Sequence, residues 1–409
     1  MVDNKLPQLD ILRIVSILIV VVLVHIPNNY AYSFYMDLDP YIGFLLHTSG
    51  IEVAMGSFVF ISGFGLYLNK NNRNLNTLSK TSKFLKKRFL RIFPLYWIAL
   101  TLFIFFLEYT DINPLYLIAH FFGMQMIVAP LFSPPILTMW FVGIIVVYYL
   151  IFLVLSSLGS IKRIIPVSLL ILFFFAFLNV FFGLIEYRFF TYYLIFILGI
   201  TAAQFYDSHQ YNKLKERIIR LNKFIPLILA FLISFLSLLI YLNLSQYLFN
   251  AFNSEFGTTH LPIILDQNLD IITSAAVFLL EDLLIILYLI FTISLFFFII
   301  KGLRMLFPKR NVGIPFSLVA YSTYCVYLFH RIFLIIYVWL SARILNVDII
   351  ELLYGNYKDQ HFALIMVYVP LIFVFCFFIQ KFADWVIKSI TSIKFRKNNK
   401  QIVNEIDNL

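Results

Sequence analysis

Two ionisable side chains in the first apolar segment are the residues best suited to chemistry. Arg13 and His25 are separated by eleven residues, and the stretch between them is apolar except for Ser16. Charged side chains at membrane depth cost roughly 2.5–3.5 kcal/mol each, so they are rare and mostly functional. Because a histidine is neutral at pH 7 and accepts a proton, His25 is a candidate general base. The alternative is that Arg13 flanks the membrane and that His25 caps a helix before Pro27.

The spacing of the two residues sets how far apart they can act. Twelve helical steps of about 1.5 Å place their alpha carbons about 18 Å apart. We therefore expect Arg13 near the cytoplasmic surface and His25 in the outer third of the bilayer.

A second group of cations lies directly before the third apolar segment. Lys86, Lys87, Arg88 and Arg91 precede Ile92, and Arg88 and Arg91 share one helical face because they are three residues apart. Guanidinium groups suit bidentate phosphate binding, so this face could hold a phosphorylated molecule. The alternative is an ordinary polybasic flank that binds anionic lipid headgroups.

Further polar and aromatic side chains interrupt apolar segments. They are Glu52, Ser62-Gly63-Phe64, Met139-Trp140-Phe141, and Ser322, Tyr327 and His330 in the segment 321–331. Small residues in a membrane helix usually permit close packing, and aromatic residues often mark the interface. His120, His209, His260 and His361 have no metal-like spacing and receive no role.

Composition identifies the elements that must position these residues. Of 409 residues, 62% are hydrophobic and 13% are charged, whereas soluble domains have about 45–50% and about 25%. The chain is therefore a multi-pass membrane protein whose main partner is the lipid bilayer. Two cysteines, Cys325 and Cys376, lie in apolar segments and exclude a disulfide framework or a Cys-based metal site. Clustered basic residues explain the net charge of +10 without any nucleic acid.

Hydropathy predicts an all-α bundle of about ten transmembrane helices. The apolar runs fall at 11–27, 46–68, 92–108, 135–158, 164–184, 189–206, 225–247, 277–300, 314–340 and 362–387. Clusters of Lys and Arg follow the second, fourth, sixth, eighth and tenth runs, so both termini are predicted in the cytoplasm. The segment 114–131 is too short and too rich in flanking proline for a span, so we expect a re-entrant or interfacial element. Residues 1–390 would form the transmembrane domain and residues 391–409 a basic cytoplasmic tail.

In chain order these segments resemble the membrane-bound acyltransferase 3 family. The family pattern is Asp-x-x-Arg and a histidine in helix one, Ser-Gly-Phe in helix two, and Arg-x-x-Arg-Ile-x-Pro-x-Tyr entering helix three. A Leu-Trp-Phe-like start of helix four and a late Ser-x-x-x-x-Tyr-Leu-x-His follow. The residues that carry the resemblance are Asp10, Arg13, His25, Ser62-Gly63-Phe64, Arg88, Arg91, Ile92, Pro94, Tyr96, Trp140-Phe141, Ser322, Tyr327, Leu328 and His330. They extend over nearly the whole chain.

The resemblance implies an O-acyltransferase of the cytoplasmic membrane. Its co-substrate would be acyl-coenzyme A, with acetyl the most frequent group, and no cofactor or metal would be permanently bound. The acceptor would be a hydroxyl of a cell-envelope glycan, polysaccharide or glycolipid. His25 would be the base and Arg13 would bind the donor or orient the site. Lys87, Arg88, Arg91 and Tyr96 would bind acyl-coenzyme A, and Asp10, Glu52, Ser62, Trp140, Ser322, Tyr327 and His330 would line the site.

One spacing departs from the family pattern. The family usually has ten residues between the arginine and the histidine, whereas this chain has eleven between Arg13 and His25. A regular helix would turn His25 about 100° further, leaving the two side chains roughly 120° apart. A single π-bulge would absorb the extra residue. Glu52 also lies further from Ser62 than the acidic residue that the family often shows.

A different function class uses similar features. A polytopic exporter or flippase for a polysaccharide or lipid-linked glycan could place Arg13 and His25 in a substrate path. Transporters often show repeat symmetry and paired broken helices, which this sequence does not show. The sequence therefore favours the enzyme.

Overall fold

The computed structural model describes residues 6–26, 39–106, 113–132, 135–221, 224–252, 271–307, 313–349, 352 and 358–406. Within these ranges the chain forms helices and no strand. The α-helices are α1 (Pro7–Leu18), α2 (Pro40–Phe44), α3 (Gly50–Leu68), α4 (Leu78–Phe106), α5 (Pro114–Phe121), α6 (Gln125–Phe132), α7 (Trp140–Ser156), α8 (Ile161–Phe182), α9 (Arg188–Tyr206), α10 (His209–Leu221), α11 (Ile225–Phe252), α12 (Ile271–Leu306), α13 (Gly313–Leu345) and α14 (Lys358–Ile406).

The membrane-spanning helices agree with the hydropathy of the sequence. In the described part of the chain, nine helical segments are long and apolar enough to cross a membrane. The one predicted run outside these nine segments is the fourth, 135–158, which contains α7; that helix is equally apolar but has only 17 residues. The prediction of an all-α multi-pass fold is therefore confirmed. The physical reason is that a chain segment in lipid can satisfy its backbone hydrogen bonds internally only as a helix or in a closed barrel. The final helix α14 continues without a break from the last span into the predicted tail, as far as Ile406.

Residues 114–132 form a hairpin of two short helices, α5 and α6. Each has eight residues and is about 12 Å long, which is too short to cross the bilayer. The hairpin is held in the bundle by polar contacts. The Tyr96 hydroxyl donates to the His120 carbonyl over 2.7 Å, and Gln125 Nε2 donates to the Met139 carbonyl over 2.8 Å. The first bond ties the hairpin to α4, and the second ties it to the turn before α7.

The side chain of His120 closes this hairpin. Its Nδ1 donates to the Tyr116 carbonyl over 3.0 Å, and its Nε2 accepts the Ile136 backbone N–H over 3.1 Å. Both contacts require the neutral ring with its proton on Nδ1. Burial lowers the pKa of His120 to about 4, although the bond to Tyr116 acts in the opposite direction. His120 is therefore a structural residue.

This depressed pKa makes the stability of the protein depend on pH. Below about pH 6.5 the unfolded chain takes up a proton at His120, whereas the folded protein does not until about pH 4. We expect stability to fall across this window, by up to about 3 kcal/mol. Thermal melts of detergent-solubilised protein at pH 7.5, 6 and 5 measure the loss. His120→Gln should flatten the dependence, and His209→Gln, which changes an exposed side chain, should not.

Two helices pack at backbone contact in the centre of the bundle. A Cβ atom added to Gly63 of α3 would lie 2.4 Å from the carbonyl oxygen of Phe196 in α9. A Cβ atom on Gly199 of α9 would lie 2.4 Å from the carbonyl oxygen of Phe60 in α3. Gly63 of the Ser-Gly pair therefore permits the close approach of α3 and α9.

Two segments of the membrane helices are π-helical. Ile19–His25 continues α1, and Leu45–Ser49 connects α2 to α3. In the first segment the Ile26 N–H bonds to the Val21 carbonyl, five residues earlier. A π-turn holds more residues than an α-turn, so it rotates the side chains that follow.

Candidate active site

Two cavities lie along the first membrane helix, and their linings share no residue. The Arg13 cavity, of about 330 Å³, is lined by Arg13, Phe58, Ile61, Ser62, Gly65, Leu66, Asn69, Arg88, Arg91, Ile92, Phe141, Val142, Ile145, Tyr149 and Tyr324. The His25 cavity, of about 290 Å³, is lined by Val20, Val24, His25, His47, Ile51, Glu52, Met55, Pro135, Thr138, Trp140, Arg188, Tyr192, Tyr327 and Arg331. One helix thus carries a cation into one cavity and an imidazole into the other.

The π-helical segment explains how Arg13 and His25 can both face the interior. With eleven intervening residues, a regular α-helix would rotate His25 away from the face that carries Arg13. The segment Ile19–His25 takes up the extra residue, as a π-bulge was expected to do. His25 consequently lines a cavity inside the bundle.

His25 is hydrogen-bonded to His330 of α13. Its Nδ1 lies 2.6 Å from Nε2 of His330, which is 305 residues further along the chain and completely buried in α13. The ring planes differ by 9°, and the ring centres are 4.8 Å apart. Nearly coplanar rings at that separation fit an in-plane N–H···N hydrogen bond.

Backbone contacts decide which nitrogen of each ring carries the proton. Nδ1 of His330 lies 2.9 Å from the Tyr327 carbonyl and 3.1 Å from the Val326 carbonyl. A carbonyl can only accept, so this Nδ1 is the donor, and Nε2 of a neutral His330 must accept. His25 Nδ1 is then the donor of the bond between the rings. The lone pair of His25 lies on Nε2, as a general base requires.

A carboxylate and an arginine stand near His25 in the same cavity. Glu52 of α3 is 5% exposed and accepts a hydrogen bond of 2.6 Å from the Tyr192 hydroxyl of α9. The Tyr192 ring stacks on Trp140, with centroids 6.0 Å apart. The Arg188 guanidinium lies 4.9 Å from the centre of the Trp140 indole. Charged and aromatic groups are therefore fixed around one wall of the cavity.

Further acids surround this wall. Glu186 lies just outside the membrane helices, and its Oε1 is 3.1 Å from Nη1 of Arg188. Burial raises the pKa of Glu186 to about 7, although Arg188 acts in the opposite direction. On α12, Glu281 and Asp282 are 2% and 4% exposed. Glu281 interacts electrostatically with Glu52, and neither of its carboxyl oxygens has a hydrogen-bond partner among the described residues.

The Arg13 cavity has a different charge balance, because three guanidinium groups and no carboxylate line it, whereas Glu52 lines the His25 cavity together with two arginines. Arg13 forms an ion pair of 3.0 Å with Asp10, one turn earlier in α1. Arg88 packs over the ring of Tyr149, 5.6 Å from its centre, and Arg91 lies one turn further along α4. Three cations and one nearby carboxylate leave an excess of positive charge, which suits an anionic ligand.

The structure brings most of the predicted site residues to one of the two cavities. The Arg13 cavity is lined by Arg13, Ser62, Arg88 and Arg91, and the His25 cavity by His25, Glu52, Trp140 and Tyr327. Asp10 is bonded to Arg13, and His330 is bonded to His25.

Three predicted residues lie elsewhere. The Lys87 side chain is exposed and does not line the Arg13 cavity, although it lies only one helical turn from Arg91. Tyr96 is fully buried and donates to the His120 carbonyl. Ser322 donates to the Val319 carbonyl over 3.0 Å, inside its own helix. Tyr96 and Ser322 thus line neither cavity, and both hydroxyls are bonded to backbone carbonyls.

Sequence reasoning missed several residues of the His25 cavity. His47 lies in the π-helical segment before α3, five residues ahead of Glu52. The sequence pattern that singled out His25, a histidine near one end of an apolar run, also applies to His47. Arg188 and Tyr192 are one turn apart at the start of α9 and also line the cavity. Their local sequence resembles an ordinary interfacial flank, so only the contacts with Trp140 and Glu52 reveal them.

Comparison with known families identifies the family of this chain. The family model of the acyltransferase 3 group, described as an acyltransferase domain, matches residues 6–381. No curated protein and no solved structure matches the chain significantly.

Proposed function

Because this chain belongs to the membrane acyltransferase 3 family, we propose that it transfers an acyl group from acyl-coenzyme A to a hydroxyl. The acyl group we propose is acetyl, and the acceptor is a glycan, polysaccharide or glycolipid of the cell envelope. The enzyme is a multi-pass membrane acyltransferase. One observation carries the finer proposal: a single helix joins a cavity lined by guanidinium groups to a cavity that holds a base.

The Arg13 cavity supports a phosphorylated donor. Arg13, Arg88 and Arg91 can bind the coenzyme A phosphates by charge-assisted hydrogen bonds. The buried Nε of Arg88 has no hydrogen-bond partner among the described residues, so the protein does not neutralise this guanidinium by a hydrogen bond at that atom. The exposed lysines Lys83, Lys86 and Lys87 precede this cavity on α4, and the positive-inside rule favours the cytoplasm for that end of the helix. Coenzyme A is a cytoplasmic metabolite, so donor and cavity would meet on the same side.

The His25 cavity supports attack by a hydroxyl. Nε2 of His25 takes the proton of the acceptor hydroxyl, while the oxygen of that hydroxyl bonds to the carbonyl carbon of the thioester. The carbon–sulfur bond then breaks, the ester is released, and the coenzyme A thiolate receives the proton from His25. His330 holds the imidazole in the tautomer that this step needs. The balance of the reaction requires no metal and no further reactant.

The arginines of the first cavity provide a direct test of donor binding. We expect Arg88→Ala to weaken the binding of acetyl-coenzyme A about 10–100-fold, the worth of one hydrogen bond to a charged group. Titration calorimetry on purified protein measures the change. Lys83→Ala is the matched control, since that exposed cation lies on the same helix outside the cavity. Equal effects of the two substitutions would point to nonspecific attraction and contradict a built donor site.

Chemical analysis of the cell envelope tests the acceptor. Cells that lack this protein should lose one ester from their envelope glycans or lipids, and the wild-type gene should restore it. Mass spectrometry before and after mild alkaline treatment identifies both the ester and the molecule that carries it. An unchanged set of esters would overturn the proposal. Unmodified polymer trapped in the cytoplasm would instead indicate an exporter.

A further inference from the structure

The two cavities are separated by a layer of three aromatic rings, those of Phe58, Phe141 and Tyr327. Phe58 and Phe141 line the Arg13 cavity, and Tyr327 lines the His25 cavity. The ring of Phe141 lies 6.0 Å from that of Phe58 and 5.2 Å from that of Tyr327. We call these three residues the aromatic layer.

Contacts on either side hold the aromatic layer in place. The Tyr327 hydroxyl donates to the Thr138 carbonyl over 2.5 Å, which ties α13 to the turn before α7. Phe141 is 8% exposed, and Trp140, the preceding residue, lines the His25 cavity and stacks on Tyr192. The Trp-Phe pair at the start of α7 therefore presents one ring to each cavity.

The layer lies on the route that the reaction requires. A donor held by Arg88 and Arg91 leaves its thioester on one side, whereas the base His25 opens to the other. The acyl carbonyl must reach the plane of the layer before a hydroxyl from the His25 cavity can attack it. Closely packed rings admit a small acyl end more easily than a long one, because extra methylene groups in a well-packed apolar site force side chains out of their preferred rotamers.

We propose that the aromatic layer is the acyl passage of this enzyme, and that Phe141 limits the length of the acyl chain and keeps water from the thioester. The inference rests on the proposed function, because it needs an acyl donor in the Arg13 cavity. It gives the Trp-Phe pair a role in specificity in place of an interfacial belt. Phe141 and Phe58 act on selectivity, and His25 remains the base.

Removal of the Phe141 ring should open the passage to water. We expect Phe141→Ala to release coenzyme A from acetyl-coenzyme A at least tenfold faster than wild type in the absence of any acceptor. Water oxygen bonds to the carbonyl carbon, the carbon–sulfur bond breaks, and acetic acid and the coenzyme A thiol result. A thiol-reactive dye follows the release, so the assay does not depend on the identity of the acceptor.

Chain-length preference is the second readout. One methylene group in a tight apolar site is worth about 1–3 kcal/mol, or 10–200-fold in selectivity. The ratio of acetyl- to butyryl-coenzyme A turnover should therefore fall about 10–100-fold in Phe141→Ala. Phe103→Ala is the matched control, because it empties a fully buried site that lines neither cavity. It should leave water release and chain preference as in wild type.

The outcomes separate this inference from the proposed function. Phe58→Ala, at a half-buried member of the layer, should show the same trends and replaces Phe141→Ala if that variant does not fold. Unchanged release and unchanged chain preference, in variants that still bind coenzyme A, would overturn the acyl passage and leave the acyltransferase assignment intact. Failure of wild-type protein to bind acetyl-coenzyme A at all would instead overturn the proposed donor.

Discussion

Replacement of His25 by alanine should lower acyl transfer about 10²–10⁴-fold, the usual contribution of a general base. The loss should appear in kcat, because His25 does not line the cavity of Arg13, Arg88 and Arg91 that is proposed to hold the donor. Acetyl-coenzyme A binding, membrane insertion and the melting temperature should stay close to wild type. Radiolabelled acetyl transfer in membranes that contain the native acceptor measures the rate.

The hydrogen bond from His25 to His330 adds a sharper version of this test. His330→Phe keeps an aromatic ring but removes the acceptor of the His25 Nδ1–H, so the imidazole loses its fixed tautomer. We expect a smaller fall in kcat than for His25→Ala, with KM for acetyl-coenzyme A unchanged. The double variant should be no slower than His25→Ala alone, since both changes act through one base. Independent, multiplying losses would contradict the coupling, and full activity in His25→Ala would remove His25 from the mechanism.

Replacement of Gly63 by alanine should destabilise the bundle by about 1–3 kcal/mol, the usual cost of overpacking. A methyl group there would meet the Phe196 backbone at 2.4 Å, and a backbone carbonyl cannot move aside as a side chain can. The helices α3 and α9 would separate, and with them Glu52 and Tyr192, so the His25 cavity would lose its shape. Thermal melts and size-exclusion profiles in detergent measure the effect.

The same helix supplies the matched control for this prediction. Gly65 is two residues away, and a Cβ atom on it would meet nothing within 4 Å. Gly65→Ala should be neutral or should stabilise α3 by about 0.5–1 kcal/mol, because alanine favours the helix. Similar melting temperatures for the two variants would show that the contact between α3 and α9 does not limit stability.

Several features were predictable because they depend on neighbouring residues only. The apolar runs locate the spans, since hydropathy over about 20 residues is a local property. The proline-flanked segment 114–131 could not span and forms a helical hairpin. A π-bulge would absorb the residue that this chain has in excess of the family pattern between Arg13 and His25, and the π-helix Ile19–His25 is present. Each of these follows from counting residues along one helix.

Other features depend on which helices meet, and the linear pattern does not encode that. Lys87 and Tyr96 were grouped with Arg88 and Arg91 because they are close in sequence, yet one is exposed and the other is bonded to the α5–α6 hairpin. His47 joins His25 only because the π-helical segment before α3 lies beside the π-helical segment that follows α1. Glu281 approaches Glu52 only because α12 packs on α3.

The sequence by itself determined a helical membrane bundle, a family pattern, and an arginine and a histidine on one helix. The tertiary structure decided that His25 donates to His330, that its lone pair therefore lies on Nε2, and that aromatic rings separate the two cavities. The physical reason is the range of the forces involved. Hydropathy and helical period act between near neighbours, whereas a hydrogen bond between residues 305 positions apart exists only once the helices have packed.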